Sequence, residues 1–204
     1  MAARAKSPPG RPSSARERID HAAYELFSRH SIRTIGVDTV AARAGVAKMT
    51  LYKHYPSKDQ LALAFLRRRE ELWTRSWLQG ETERLGATPG AKLLAVFDLF
   101  EAWSRRPDFE ACAFTKALLE HADARHPVRV AVRGHIATIR AFLVELAKEA
   151  GTRNPARFAQ QWQVLMIGCL IAAYAGEADA VRNARKVGRL LLESEGLRAA
   201  RARR

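Results

Sequence analysis

Residues 36–61 have the sequence GVDTVAARAGVAKMTLYKHYPSKDQL, and this stretch decides the fold. It contains two short segments that can each form a helix, separated by Gly45, which tolerates the positive φ common at helix ends. The spacing predicts that Val40 of the first segment and Leu51 of the second face the core, and Pro56 is expected to end the second helix. Two short helices joined by a turn with a small residue predict a helix-turn-helix.

The outward face of the second segment is suited to a groove of nucleic acid, because it is rich in cationic, hydroxyl-bearing and aromatic side chains. Its residues are Lys48, Met49, Thr50, Tyr52, Lys53 and His54. The chain also has a net charge of +14 at pH 7. Lys and Arg displace condensed counterions from phosphates, which favours a nucleic-acid partner. Charge alone leaves DNA, RNA and an anionic membrane open.

The same stretch closely resembles the N-terminal domain of the TetR family of bacterial transcriptional regulators. The matching elements are Ala44-Gly45-Val46, Leu51-Tyr52, His54-Tyr55, Ser57-Lys58 and Leu61. The resemblance covers about residues 14–66, and the rest of the chain resembles the family only in helix count and length. It implies an all-α homodimer of about nine helices, with an N-terminal helix-turn-helix domain and a C-terminal ligand-binding and dimerisation domain, that binds a double-stranded DNA operator.

The resemblance implies DNA contacts at nine positions. Those expected at backbone phosphates are Tyr52, His54 and Lys58, with Thr34 and Thr39 beside the second helix. Those on the recognition helix that face bases or phosphates are Lys48, Met49, Thr50 and Lys53. Three residues depart from the family pattern. Gly36 offers no hydroxyl where one is frequent, and Asp38 favours the helix N-terminus but repels nearby phosphates. Met49 stands where a small residue is frequent, and it either touches a thymine methyl or packs within the chain.

Four segments are predicted along the chain. They are a flexible basic arm at residues 1–13, a helix-turn-helix domain at 14–60, a ligand-binding and dimerisation domain at 61–194, and a basic tail at 195–204. Ser14 and Glu17 form the sequence signature of a capping box at the first helix. Gly80 is expected to end the long fourth helix. A later helix is expected to open at Pro155 and to run to about Ala175.

This later helix is apolar on two faces, so it must be covered on both sides. The domain core can cover one side, and a partner subunit is the natural cover for the other. We therefore expect an isologous four-helix interface built from this helix and the final one. The candidate interface residues are Val164, Ile167, Gly168, Ile171, Val181, Ala184, Val187, Gly188 and Leu191.

A pocket for a small hydrophobic or amphipathic effector is expected among the intermediate helices. The candidate lining residues are Phe97, Phe100, Trp103, Phe114, Leu118, Phe142, Trp162 and Met166. Each belongs to a residue type that is common in ordinary cores, so a purely structural role stays open. The expected function is that of a repressor released from a near-palindromic operator when the effector binds.

Other classes of function have little support in the sequence. It contains no Ser-His-Asp or Cys-His arrangement, phosphate-cradling glycine loop or HExxH motif, which predicts that the protein is not an enzyme and has no cofactor. Cys112, His121, Asp123 and His126 match no trusted metal-site spacing, so no metal is predicted. The apolar runs are too short for a membrane span, and Arg4 and Lys6 precede no apolar leader, which predicts a cytoplasmic protein with no membrane partner.

Three alternatives stay open on the sequence. The first is a dimeric DNA-binding regulator or architectural protein with no small-molecule inducer. The second is a basic binder of RNA or of membrane surfaces in general. The third is an activator rather than a repressor, because nothing in the residues fixes the direction of regulation.

Overall fold

The computed structural model describes residues 14–197, which form nine helices and no strand. The helices are α1 (Ala15–Arg29), α2 (Val37–Ala44), α3 (Lys48–His54), α4 (Lys58–Arg69, continuing unbroken through the π-helical Glu70–Gln79 and the α-helical Gly80–Leu85), α5 (Pro89–Ser104), α6 (Ala113–Glu120), α7 (Pro127–Ala150), α8 (Pro155–Tyr174) and α9 (Ala180–Ser194). The predicted all-α class is confirmed. The expected basic arm and most of the expected basic tail lie outside the described residues.

Several helix ends follow from local sequence signals. At the start of α1, the Glu17 N–H donates to Ser14 Oγ at 3.1 Å and the Ser14 N–H donates to a Glu17 carboxylate oxygen at 3.1 Å, so the capping box is confirmed. Helix α8 begins at Pro155, where the missing N–H leaves no helical hydrogen bond unmade. Helix α7 ends before Gly151, which has a φ of 82°.

The prediction that Gly80 ends α4 is wrong. The helix continues to Leu85 and is followed by Gly86. A glycine inside a helix costs about 1 kcal/mol relative to alanine. Leu78 and Thr82, which flank Gly80 along the helix, are both buried. Tertiary burial on this stretch of α4 therefore outweighs the local preference of Gly80 for a helix end.

The chain divides into two compact units. Unit 1 comprises the described chain up to Leu72 together with Ala113–His135, and unit 2 comprises Trp73–Cys112 together with the described chain from Ile136 onward. Helices α4 and α7 each supply residues to both units. The predicted domain boundary between residues 60 and 61 was drawn by expected function and does not coincide with the boundaries of the two compact units. It stays a prediction.

Unit 1 has a core formed by the inward faces of α1 to α4. Its large buried side chains include Ile19, Phe27, Val40, Leu51, Leu61 and Phe65. The rings of Phe27 and Phe65 meet edge to face at 5.6 Å between centroids, a favoured aromatic geometry. Helix α6 is tied to this core by Lys116 Nζ, which donates to the Ser28 carbonyl at 3.1 Å. Unit 1 therefore contains the predicted helix-turn-helix together with α6.

Unit 2 has an aromatic core centred on Trp162 of α8, whose side chain is fully buried. The indole ring stacks on Phe158 at 5.3 Å between centroids and lies 5.2 Å from the ring of Phe97 on α5. A Cβ atom added to Gly188 of α9 would lie 2.9 Å from Trp162 Cη2. Only glycine therefore lets α9 approach the large ring at this point.

The position of α9 corrects part of the expected dimer interface. Val181, Ala184 and Gly188 were expected on that interface, but they are buried in the core of unit 2. Their small size allows α9 to pack inside the protomer. These three residues are therefore no longer candidates for the dimer interface. The remaining candidates are exposed or half-buried, and they are Val164, Ile167, Gly168, Ile171, Val187 and Leu191.

Within residues 14–197, no helix has both the length and the apolar composition that a membrane span would need.

The close approach of α9 to Trp162 predicts a specific stability effect. Gly188→Ala should lower the free energy of unfolding by about 1–3 kcal/mol, because the new methyl group overpacks the ring contact. Gly134→Ala on α7 is the matched control, since a Cβ there meets nothing within 4 Å. The control should raise the free energy of unfolding by about 0.5–1 kcal/mol. Urea unfolding followed by circular dichroism measures both, and an unchanged midpoint for Gly188→Ala would contradict the packing described.

Candidate nucleic-acid interface

The turn between α2 and α3 depends on Gly45, which has φ 63° and ψ 42°. This left-handed conformation costs little for glycine and is strained for other residues. It lets the Gly45 N–H donate to the Ala42 carbonyl at 3.1 Å and the Val46 N–H donate to the Ala41 carbonyl at 3.1 Å. Only residues 45–47 separate the two helices, which agrees with the short turn predicted from the sequence.

The inward side of α3 is fixed by burial. Leu51 of α3 and Val40 of α2 are completely buried, as predicted from their spacing. Tyr55, which follows α3, is 5% exposed, and its hydroxyl donates to the carboxylate of Asp20 on α1. Burial raises the pKa of the Tyr55 hydroxyl, which therefore remains a neutral donor near neutral pH. These contacts fix the rotation of α3 about its own axis.

Helix α2 is held against α1 by two arginines that the sequence analysis missed. Arg18 Nε donates to the Ala44 carbonyl at the end of α2 at 3.2 Å, and so satisfies a carbonyl that has no partner within its own helix. Arg43 pairs with Glu25 at 2.7 Å. No local motif marks either contact, because the partners are 26 and 18 positions apart in sequence.

The outward side of α3 presents the predicted residues to solvent. Lys48, Lys53 and His54 are exposed, while Thr50 and Tyr52 are half-buried. Met49 is 68% exposed, so its side chain does not pack within the chain. Of its two predicted roles, contact with a thymine methyl therefore stays as the prediction.

Lys48 has a carboxylate partner across the turn. Its Nζ atom lies 2.9 Å from a carboxylate oxygen of Asp38 at the start of α2. Hydrogen bonding to Asp38 raises the pKa of Lys48, so the ammonium stays charged. Asp38, expected from the sequence to repel phosphate, is thus neutralised by a residue of the recognition helix.

Other predicted phosphate contacts have local roles in unit 1. Lys58 is half-buried, and its Nζ donates to the Arg33 carbonyl at 2.9 Å. Burial lowers the pKa of Lys58. The Thr34 hydroxyl donates to the Ser31 carbonyl at 3.1 Å. Thr39 is exposed. Helix α2 has no side-chain cap, since its N-cap residue is Gly36.

The eight expected pocket residues do not form one group. Six of them lie in the core of unit 2 or against it, and these are Phe97, Phe100, Trp103, Phe142, Trp162 and Met166. Phe114 and Leu118 belong to unit 1 instead. Phe114 stacks on His135 at 3.3 Å between ring centroids, and burial lowers the pKa of His135 to about 4. A neutral imidazole at physiological pH therefore packs like an aromatic core residue.

No group of three or more His, Cys, Asp or Glu side chains in residues 14–197 is arranged to hold a metal ion.

A short helix with one buried and one polar face, set behind a left-handed glycine turn, defines the class of the protein as an all-α helix-turn-helix protein. The sequence profile described as bacterial regulatory proteins, tetR family, matches residues 19–65. Residues 19–65 are therefore similar to the DNA-binding domain of the TetR family, and the relatives that resemble this chain are described as transcriptional regulators.

Relatives and solved structures agree with this assignment. The transcriptional activator FasR of Mycolicibacterium smegmatis is 47% identical over 47 residues, which are 23% of this chain and 22% of FasR. An HTH-type transcriptional regulator of Mycobacterium tuberculosis is 31% identical over 88 residues, 43% of this chain and 38% of that protein. This chain therefore covers well under half the length of these sequence relatives.

The fold likeness extends over most of the chain. A TetR-family transcriptional regulator from Streptomyces coelicolor has a TM-score of 0.81 and 25% identity, covering 89% of this chain and 95% of that chain. A solved structure from Streptomyces avermitilis has the same TM-score at 27% identity, covering 91% of this chain and 100% of that chain. The profile match lies within unit 1, whereas the fold likeness covers about nine-tenths of the chain.

Proposed function

We propose that the protein is a dimeric DNA-binding transcriptional regulator of the cytoplasm, and specifically a repressor that leaves a near-palindromic operator when a small ligand binds in unit 2. The observation that carries the proposal is the outward face of α3, which is polar and cationic while Leu51 is completely buried on the other side. A helix of this size enters the major groove of B-form DNA.

The residues near α3 divide by the contacts that they would make. Tyr52, His54 and Lys58 would bind backbone phosphates and set affinity and register, with Thr34 and Thr39 beside them. Lys48, Met49, Thr50 and Lys53 would face base edges or phosphates. Lys48 would leave Asp38 to bind DNA. The Lys58 ammonium donates one N–H to the Arg33 carbonyl and has further N–H groups that can donate to a phosphate.

Loss of the proposed phosphate contacts tests DNA binding directly. Tyr52→Ala combined with Lys58→Ala should weaken binding at least tenfold at every DNA sequence, because phosphate contacts do not read bases. The slope of log K against log salt should fall by about 1 for the lost lysine. Footprinting on the DNA beside the gene defines the operator, and fluorescence anisotropy measures affinity. Lys186→Ala on the exposed surface of α9 is the charge-matched control.

Because Lys58 also bonds the Arg33 carbonyl, Tyr52→Phe provides a milder variant that removes only the hydroxyl. Circular dichroism confirms that each variant is folded. Unchanged affinity in both Tyr52→Phe and the double variant would contradict the proposed phosphate contacts. Equal competition by all DNA and RNA would contradict binding to a specific operator.

The dimer is supported by an apolar surface that unit 2 leaves uncovered. On α8, Val164 is 69% exposed and Ile171 is 48% exposed. On α9, Val187 is 48% exposed and Leu190, which the sequence analysis missed, is 61% exposed. Large apolar side chains that cluster on two packed helices mark an interaction surface, and a second copy would bury the same face of both chains.

Charge placed on this surface should separate the subunits. Val164→Asp combined with Ile171→Asp should convert the protein from twice the chain mass of 22.8 kDa to a single chain, because the carboxylates would be desolvated in the interface. Light scattering on a sizing column measures the mass. Val130→Asp in unit 1, at a side chain 53% exposed, is the control and should leave the dimer intact. A monomeric wild-type chain would contradict the dimer.

The ligand site is supported by one unmade hydrogen bond. In the part of the chain that the structure describes, the buried Trp162 Nε1 has no hydrogen-bond partner. An unsatisfied buried donor costs about 1–3 kcal/mol, so a ligand atom that accepts from it would gain affinity. Helix α4 supplies residues to both units, and a ligand that prefers one of two arrangements of α4 would shift the DNA-binding equilibrium by its difference in affinity.

A thermal-shift screen of small apolar compounds with hydrogen-bond acceptors tests this site. A compound that raises the Tm should also lower operator affinity, and Trp162→Phe should weaken its binding about tenfold, the cost of one hydrogen bond of about 1.4 kcal/mol. Trp77→Phe, which removes an indole N–H from a half-buried position, is the control. If no compound raises the Tm, the regulator without a small-molecule inducer is the better description.

A further inference from the structure

Unit 1 contains a cavity that is lined by none of the residues proposed for DNA binding, for the dimer or for the ligand site of unit 2. It has a volume of about 190 Å³ and lies between α1, the residue that follows α3, and α4. Its floor is apolar and includes the buried side chains of Ala23, Leu61 and Phe65. Its remaining wall carries Tyr55 and charged groups, which gives one small space both an apolar and a polar side.

The charges around this α1–α4 cavity are unbalanced. Three guanidinium groups line it, from Arg16, Arg67 and Arg68, against the single carboxylate of Asp20. That carboxylate already accepts the hydroxyl of Tyr55. Arg16 lies close to the same pair, with its guanidinium carbon 5.8 Å from the centroid of the Tyr55 ring.

Within residues 14–197, no carboxylate pairs with Arg67 or Arg68. The guanidinium of Arg68 lies 5.6 Å from the centroid of the Tyr24 ring, a cation–π contact that leaves its N–H donors available. Both arginines line the same cavity, so an anion bound there would be attracted by both guanidinium groups.

The size and lining of the cavity restrict its occupant. An engineered apolar cavity of about 150 Å³ accepts benzene, so about 190 Å³ suits one aromatic ring with a small substituent. Arginine binds a carboxylate through two parallel hydrogen bonds. The N-terminal residues of the chain are an unsuitable occupant, because Arg4, Lys6 and Arg11 have the same charge as the cavity. A DNA phosphate would use the arginines but leave the apolar floor empty.

We propose that the α1–α4 cavity is a binding site for a small aromatic carboxylate. The ring would lie on Leu61 and Phe65, and the carboxylate would accept hydrogen bonds from Arg67 and Arg68. The site is separate from the ligand site proposed in unit 2 and does not depend on it. Its occupant would contact Tyr55, whose N–H donates to the Leu51 carbonyl at 2.8 Å at the end of α3.

Benzoate is the probe that tests the proposal on the full-length protein, with affinity measured by isothermal titration and ligand-observed NMR. Benzyl alcohol keeps the ring without the charge, and inorganic phosphate keeps the charge without the ring. Benzoate should bind at one saturable site per chain, at least tenfold more tightly than either. Arg67→Gln combined with Arg68→Gln should weaken benzoate binding at least tenfold.

Two further variants separate the cavity from general charge and from misfolding. Arg29→Gln combined with Arg125→Gln removes the same charge from exposed positions of unit 1 and should leave benzoate affinity unchanged. Ala64→Phe narrows the cavity from a half-buried lining position and should abolish binding while circular dichroism still shows a folded chain.

Three results would overturn the proposal. The first is no saturable binding of benzoate to the wild-type protein. The second is equal affinity for phosphate or an unchanged affinity in the Arg67 and Arg68 double variant. The third is displacement of benzoate by unrelated DNA, which would assign the arginines to phosphate binding. Because direct benzoate binding and its loss in the variants are measured without DNA, their failure is distinct from failure of the proposed regulator.

Discussion

The burial of one side of α3 is the constraint on which the rest of the DNA-binding surface depends. Helix α3 has seven residues, and a helix of that length is not stable alone in water. It persists because Leu51 and Tyr55 are buried in unit 1 and because Gly45 adopts a left-handed conformation just before it. The same contacts determine which side chains of α3 face outward. The chemistry of the outward face is therefore a consequence of apolar packing on the inward face.

Sequence reasoning succeeded where the signal was local. The capping box at Ser14 and the turn at Gly45 each depend on a few neighbouring residues, and both were predicted. It failed at Gly80, where burial of Leu78 and Thr82 on the same helix overrides a local preference. Long-range pairs such as Arg18 with the Ala44 carbonyl leave no pattern in a single sequence. The two partners are 26 positions apart, and the residues next to each of them carry no sign of the contact.

Electrostatics around α3 are more balanced than a net charge of +14 suggests. Asp38 pairs with Lys48 and Glu25 pairs with Arg43, so part of the positive charge near the interface is already neutralised. The first pair joins α3 to α2 and the second joins α2 to α1, and both lower the repulsion between cations before DNA is present. Lys53 is exposed on the outward face, so the long-range attraction for phosphate would arise more from it than from Lys48.

The small residues of α9 show why composition alone does not identify the partner of a helix. Val181, Ala184 and Gly188 are buried within the protomer, and at Gly188 the close approach is to Trp162 and Phe97 of the same chain. A large buried ring requires a small residue opposite it, and one sequence cannot say whether that ring belongs to the same chain or to another. The outward faces of α8 and α9 carry the larger apolar side chains Val164, Val187 and Leu190, which are exposed. Packing within one chain does not account for this exposure, whereas an interaction surface would.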